Sequence, residues 1–213
     1  MTEVVLPNGL TAVANEGHPA RQCGGCQLCC KLLPMQARQQ QATRTAMALA
    51  EHGLMSLDEI AAAGPEIDKP AGVRCKHQRT SCGCNIYAHR PLSCMMWNCR
   101  WLVSEAGDTL RPDHAHYVID IMPDIITAET SPPTEVPVIQ VWIDPRHPDA
   151  HRDPALRRFL HRAAEQRGEA ALIRFNARDA FILLAPPLTE TGEWIEKRDL
   201  KRVPGTGLWT STR

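Results

Sequence analysis

All nine cysteines of this 213-residue chain lie between Cys23 and Cys99. Cysteines used singly as small buried hydrophobes would be scattered along the chain. Confinement to one window means that the sulfurs act together. The first 22 residues lack a basic start followed by an apolar run, and no window approaches the ~18 consecutive apolar residues of a membrane span. The chain therefore reads as cytoplasmic, where thiols stay reduced. Clustered thiols in that compartment point to metal ligation rather than to disulfides.

The spacing sharpens this. Residues 23–30 read C-G-G-C-Q-L-C-C. A C-x-x-C step brings two sulfurs to one ion around a tight turn, and Gly24 and Gly25 remove side chains that would obstruct it. Cys23 and Cys26 form one such pair, and Cys26 with Cys29 an overlapping one. Cys29 and Cys30 are adjacent, so their side chains are expected to diverge, which suits two neighbouring sites or a cluster with separated irons. The later group is Cys75, Cys82, Cys84, Cys94 and Cys99. Four early and five late thiols suffice for two four-sulfur sites with one thiol over, or for one cluster and an incomplete site. Thiolate is a soft donor, suited to zinc and to iron–sulfur clusters.

Net charge is zero, which favours neither a nucleic-acid binder nor a membrane-surface binder. The charges are unevenly placed. No Asp or Glu occurs between Gly17 and Ala50, where Arg21, Lys31, Arg38 and Arg44 stand. None occurs between Lys69 and Ser104 either, where Lys69, Arg74, Lys76, Arg79, Arg90 and Arg100 stand. These two stretches hold all the cysteines, and cations there would offset thiolate charge.

The organisation predicted is α+β. Residues 1–22 read as a flexible N-terminus punctuated by Gly, Asn and Pro. A loop-rich, metal-stapled cysteine region follows over 23–103, interrupted by a helical insertion at about 35–68. Within it Gln36–His52 reads as a helix. A second helix starts at Ser56, which with Glu59 makes an S-x-x-E capping box, and ends at Gly64-Pro65. A small α+β unit with antiparallel strands and one helix spans 111–193. Its strands are expected at Tyr117–Met122 and Val136–Ile143, with a hairpin of Ala171–Phe175 and Ala180–Ala185. Its helix begins at the Asp153 cap with Pro154 in first position, buries Leu156, Phe159, Leu160, Ala163 and Ala164, and ends at Gly168. Residues 194–213 read as a polar tail.

The early C-G-G-C-Q-L-C-C-K-L-L-P, the later K-P-A-G-V-R-C-K-H, and G-C-N-I-Y-A-H-R-P-L-S-C-M-M-W-N-C together resemble the YkgJ-type cysteine-cluster family. That family is described as a zinc- or iron-chelating CxxCxxCC domain. The resemblance covers about residues 23–103. It implies Cys23, Cys26, Cys29, Cys30, Cys75, Cys84, Cys94 and Cys99 as metal ligands, with Cys82 surplus. The chain departs from the pattern where Met35 to Asp68 separates the K-L-L-P and K-P-A-G blocks. The family in turn resembles the cysteine-rich part of flagellin lysine methylases, which implies an iron–sulfur redox protein or enzyme as the alternative.

Tyr87 and Trp97 are read as packing around the metal shell or in an ordinary core, Arg90 as a donor to thiolates or a surface residue, and His77 as a polar group. His114 and His116 are read as surface residues at strand spacing. Asp144, Asp149 and Asp153 are read as turn and cap residues. There is no phosphate-cradling glycine loop, no G-x-S-x-G and no H-E-x-x-H. The functional reading is a metal-binding protein holding zinc or an iron–sulfur centre. Its C-terminal unit is free to meet a protein partner, while membrane contact is excluded and nucleic acid disfavoured.

Overall fold

The computed structural model describes residues 2–5, 11–14, 25–81, 83–103, 105–128, 134–198, 200–202 and 209–211. Cys23, Gly24 and Cys82 lie outside these described residues. The chain divides into two compact units, residues 1–98 with 102–104, and residues 99–101 with 105–213.

In the first unit, strands β1 (Thr2–Val5) and β2 (Thr11–Ala14) pair antiparallel inside the segment expected to be flexible. Helix α1 (Leu28–Leu32) carries Cys29 and Cys30 and buries Leu28 and Leu32. It stops at Leu33, which is extended because Pro34 follows. The insertion holds two helices, α2 (Gln39–Glu51) and α3 (Leu57–Ala62). Ser56 and Glu59 close the capping box in both directions. Met55 and Ile60 pack beside Ala42, Ala46 and Leu92. That core joins α2 to α4 (Leu92–Met96), the short helix bearing Cys94.

The second unit is a seven-stranded mixed sheet in the order β7-β6-β5-β4-β3-β9-β8. After α5 (Pro112–Ala115) come β3 (Tyr117–Ala128) and β4 (Thr134–Ile143), paired antiparallel. β3 runs past its expected end at Met122 because the register shifts between Ile119 and Pro123. The shift sets Asp120 to Met122 against Gln140 alone before Pro123 falls into register with Ile139, and β9 (Trp209–Ser211) pairs only from Ile126 onward.

Helix α6 (Pro154–Arg167) starts and stops as expected. The Asp153 carboxylate accepts from the N–H groups of Ala155 and Leu156 at 2.6 and 3.0 Å, and Gly168 is left-handed. Its five apolar positions are all buried. α6 is a crossover, so β4 and β5 (Ala170–Arg174) run parallel. The expected antiparallel strands thus sit in a mixed sheet that also contains parallel pairs. β5 and β6 (Ala180–Leu184) form the antiparallel pair expected as a hairpin. The segment read as a polar tail adds β7 (Ile195–Lys197), β8 (Leu200–Arg202) and β9 to the sheet.

Strand alternation gives the sheet two buried faces. Ile139, Val141, Ile143, Ala171, Ile173, Phe181 and Leu183 pack with α6, while Val138, Leu172 and Ile182 form a second cluster with Ile126.

Candidate metal centre

The two cysteine segments of the first unit lie side by side, zipped by the backbone. Met35 and Lys69 exchange N–H···O bonds at 2.8 and 2.9 Å, Gly72 N–H donates to Leu32 O at 2.8 Å, and Cys75 N–H donates to Cys30 O at 2.9 Å. One further tie uses side chains. Gln78 Nε2 donates to Gln27 Oε1 at 2.6 Å, and Gln27 Nε2 donates to Gly83 O at 3.0 Å. The amide pair couples Gln27, next to buried Cys26, to the turn that holds Cys84 opposite Gln78. Nothing in the cysteine spacing announces this pair; the sequence reading missed it.

Helix α1 changes the expectation for the vicinal cysteines. Cys29 Sγ and Cys30 Sγ stand 4.0 Å apart rather than diverging. Two sulfurs on one tetrahedral ion with bonds of about 2.3 Å would be ~3.8 Å apart, so this pair already has the spacing of a shared edge.

The charges around the thiols are ordered. Lys69 is only 5 % exposed, and its ammonium donates to Val73 O at 2.6 Å. No carboxylate pairs with it among the described residues, and the charges it does feel are those of Cys75, Cys30, Cys29 and Cys94. Burial pulls its pKa down and the thiols oppose that. A buried ammonium is costly unless an anion compensates it. The Cys29 hydrogen bond, assisted by Lys69 and Arg90 against burial, lowers the Cys30 thiol to about 7. Burial pushes the Cys94 thiol up to about 12, reinforced by Cys30, Glu66 and Cys75 and opposed by Arg90. One thiol is thus poised to ionise at neutral pH, while another keeps its proton until a cation displaces it.

Arg90 also lies over the Tyr87 ring, 4.1 Å from its centre. Tyr87 itself is 57 % exposed, so it belongs to neither a metal shell nor a core; Trp97 is half-buried. His77 is half-buried, and its backbone O accepts from Asn85 N–H.

Cys75 is thus joined to Cys30 through the backbone, Cys29 stands beside Cys30, the charges of Cys30 and Cys75 reach Cys94, and Cys26 and Cys84 flank the Gln27–Gln78 pair. Cys99 belongs to the second unit, where it is buried and bridges to Asp120 on β3. Among the described residues no group of three or more His, Cys, Asp or Glu side chains is placed so that it could hold a metal ion. Lys69 and Arg90 act on these thiols, which is the charge compensation that thiolates need. Elsewhere, His114 lies on α5 and His116 is its left-handed cap, stacked on His147 at 3.5 Å, not in a strand. Asp144 holds Arg146 and Asp153 caps α6, as turn and cap residues do.

Gly64 locks this arrangement. Its N–H reaches the carbonyls of His89 and Arg90, and a Cβ there would sit 2.5 Å from His89 O. Gly64→Ala must push apart two backbones just ahead of Pro91. It is expected to cost roughly 2–3 kcal/mol, as overpacking does. Urea denaturation checks this, and a loss below about 0.5 kcal/mol would contradict the close approach.

Residues 22–110 match the sequence profile of the CxxCxxCC family, described as "Putative zinc- or iron-chelating domain". No curated protein and no solved structure matches the chain. No helix among the described residues is long and apolar enough to cross a membrane.

Proposed function

We propose that the chain chelates zinc or iron through cysteine thiolates, the activity described for the family that residues 22–110 match. The observation that carries this reading is the buried Lys69, whose ammonium feels the charges of Cys75, Cys30, Cys29 and Cys94 and has no carboxylate partner among the described residues. A cation is stably buried there when the thiols are anionic, and thiolates stay anionic inside a protein when they bind metal. Cys30, Cys75 and Cys94 are the core of the donor set, with Cys29 adjoining. Cys26 and Cys84 belong to a second group of donors. Cys23 and Cys99 complete the set of eight that the family resemblance implies. Bound metal would add folding free energy by joining two segments that the backbone already aligns. The protein acts in the cytoplasm, and its sheet unit offers a surface to a protein partner.

Metal analysis of protein purified without oxygen tests this. Colourless protein with about two zinc per chain is one supporting result; brown protein with broad visible absorption, an iron–sulfur centre, is the other. Protein isolated without oxygen that holds neither metal, and takes up neither when offered, would overturn the reading. Uptake is expected to release protons and to weaken steeply as pH falls, because thiols must ionise to bind.

A further inference from the structure

Helix α1 presents two thiols side by side while its backbone opposes a bond between them. Cys29 Sγ and Cys30 Sγ stand 4.0 Å apart, and both residues are half-buried, within reach of a small reagent, whereas Cys26 and Cys99 are buried. Both carbonyls of the pair are pinned. Cys29 O accepts from Leu33 N–H at 3.0 Å, and Cys30 O accepts from Cys75 N–H at 2.9 Å. Buried Leu28 and Leu32 anchor the helix on either side of the pair. Adjacent Cα atoms lie about 3.8 Å apart across a trans peptide, below the roughly 4.4–6.8 Å that a disulfide usually spans. A Cys29–Cys30 disulfide would therefore have to twist the peptide out of α1 and break those hydrogen bonds. An atom set between the two sulfurs requires no such change.

We propose that Cys29 and Cys30 form a two-sulfur site for trivalent arsenicals. Trivalent arsenic is a soft, thiol-seeking centre, and soft sulfur donors favour soft centres. In the binding step an arsenoxide, R–As=O, meets the two thiols. Two As–S bonds form, the As=O bond breaks, and the oxygen leaves as water with both thiol protons. No oxidation state changes, so no co-reactant is needed. Holding both sulfurs in place makes the second bond intramolecular, which strengthens binding by about 10²–10⁴-fold over a single thiol. Two donors complete the site, so it asks for no third ligand from elsewhere in the chain. It needs only the reduced pair and stands apart from the chelation reading, so the two can fail separately.

Full-length protein, stripped of metal by a chelator and reduced with a phosphine, is offered one equivalent of phenylarsine oxide. Intact mass reads the adduct, and alkylation followed by fragment mass spectrometry reads which thiols it protects. One arsenical per chain is expected, with Cys29 and Cys30 protected. It should survive excess monothiol and be withdrawn by a competing dithiol. Cys29→Ser is expected to weaken capture at this position at least 100-fold in the monothiol competition, about the advantage a second tethered sulfur gives. The thiol oxidant diamide is expected to leave Cys29 and Cys30 unlinked to each other in the native protein. No adduct, prior protection of a different cysteine pair, unchanged capture in Cys29→Ser, or a Cys29–Cys30 disulfide in the native fold would each overturn the proposal alone. Should Cys29→Ser not fold, the wild-type protection map decides. An arsenical held at Cys29 and Cys30 by protein that takes up neither zinc nor iron would support the proposal and sink the chelation reading alone.

Discussion

Replacing Cys94 by serine is expected to strip metal from its centre. Serine is nearly isosteric, but its hydroxyl does not ionise near neutral pH and is a hard donor. The buried position that holds the Cys94 proton so firmly offers a hydroxyl no help in ionising either. Losing one thiolate should weaken binding at least 100-fold, which removes about 2.7 kcal/mol of metal-linked stability. The metal-free variant should melt close to metal-free wild type, because an O–H replaces a buried S–H of similar size. Metal per chain and melting with and without a chelator are the measurements. Wild-type metal content in Cys94→Ser would remove Cys94 from the ligand set. The same substitution at Cys82, the thiol in excess of the family pattern, should be mild.

The largest loss of fold stability is expected at Trp142 on β4. Its side chain is 1 % exposed, its Nε1 donates to Asp120 Oδ2 at 3.3 Å, and the Arg174 guanidinium lies 4.0 Å from its ring. Trp142→Ala opens a large void and exposes two charged groups to a lost neighbour, which should cost about 3–5 kcal/mol. Trp142→Phe keeps a ring under Arg174 and forfeits chiefly the N–H bond, so about 1 kcal/mol is expected. Denaturant unfolding of both variants gives the comparison. Equal losses would mean that the hydrogen bond, not the packing, is what the residue contributes.

Legibility differed sharply between elements, for physical reasons. α6 was fully readable because every signal in it is local: an Asp cap, a Pro at the first position, one apolar face and a terminal glycine. The α3 capping box was readable for the same reason. The strands after residue 194 were not. Segments such as Ile195–Lys197 are three residues long, and pairing with a preformed neighbour makes them strands rather than any pattern of their own. The parallel β4–β5 pair was hidden because sequence shows that a helix intervenes but not which edge the next strand joins.

At the site, the soft donors were plain from spacing, and the acid-free stretches flagged Lys69 and Arg90. Three things were hidden. The helical turn that brings Cys29 and Cys30 sulfurs together contradicts the simple expectation for adjacent side chains. The Gln27–Gln78 pair joins residues 51 positions apart. Glu66 sits just outside the acid-free stretch and reaches Ser93 across 27 residues, a distance no local rule spans.

The paired backbone at Met35 and Lys69 has a consequence for how such chains can diversify. The excursion leaves and returns at adjoining points, like a detour with a common entrance and exit. Its length is therefore not a dimension of the sulfur-bearing scaffold. A chain that spliced the exit directly to the entrance with a short turn would leave the thiols in register. A longer detour would add new surface, or new donors, without redrawing the road it departs from.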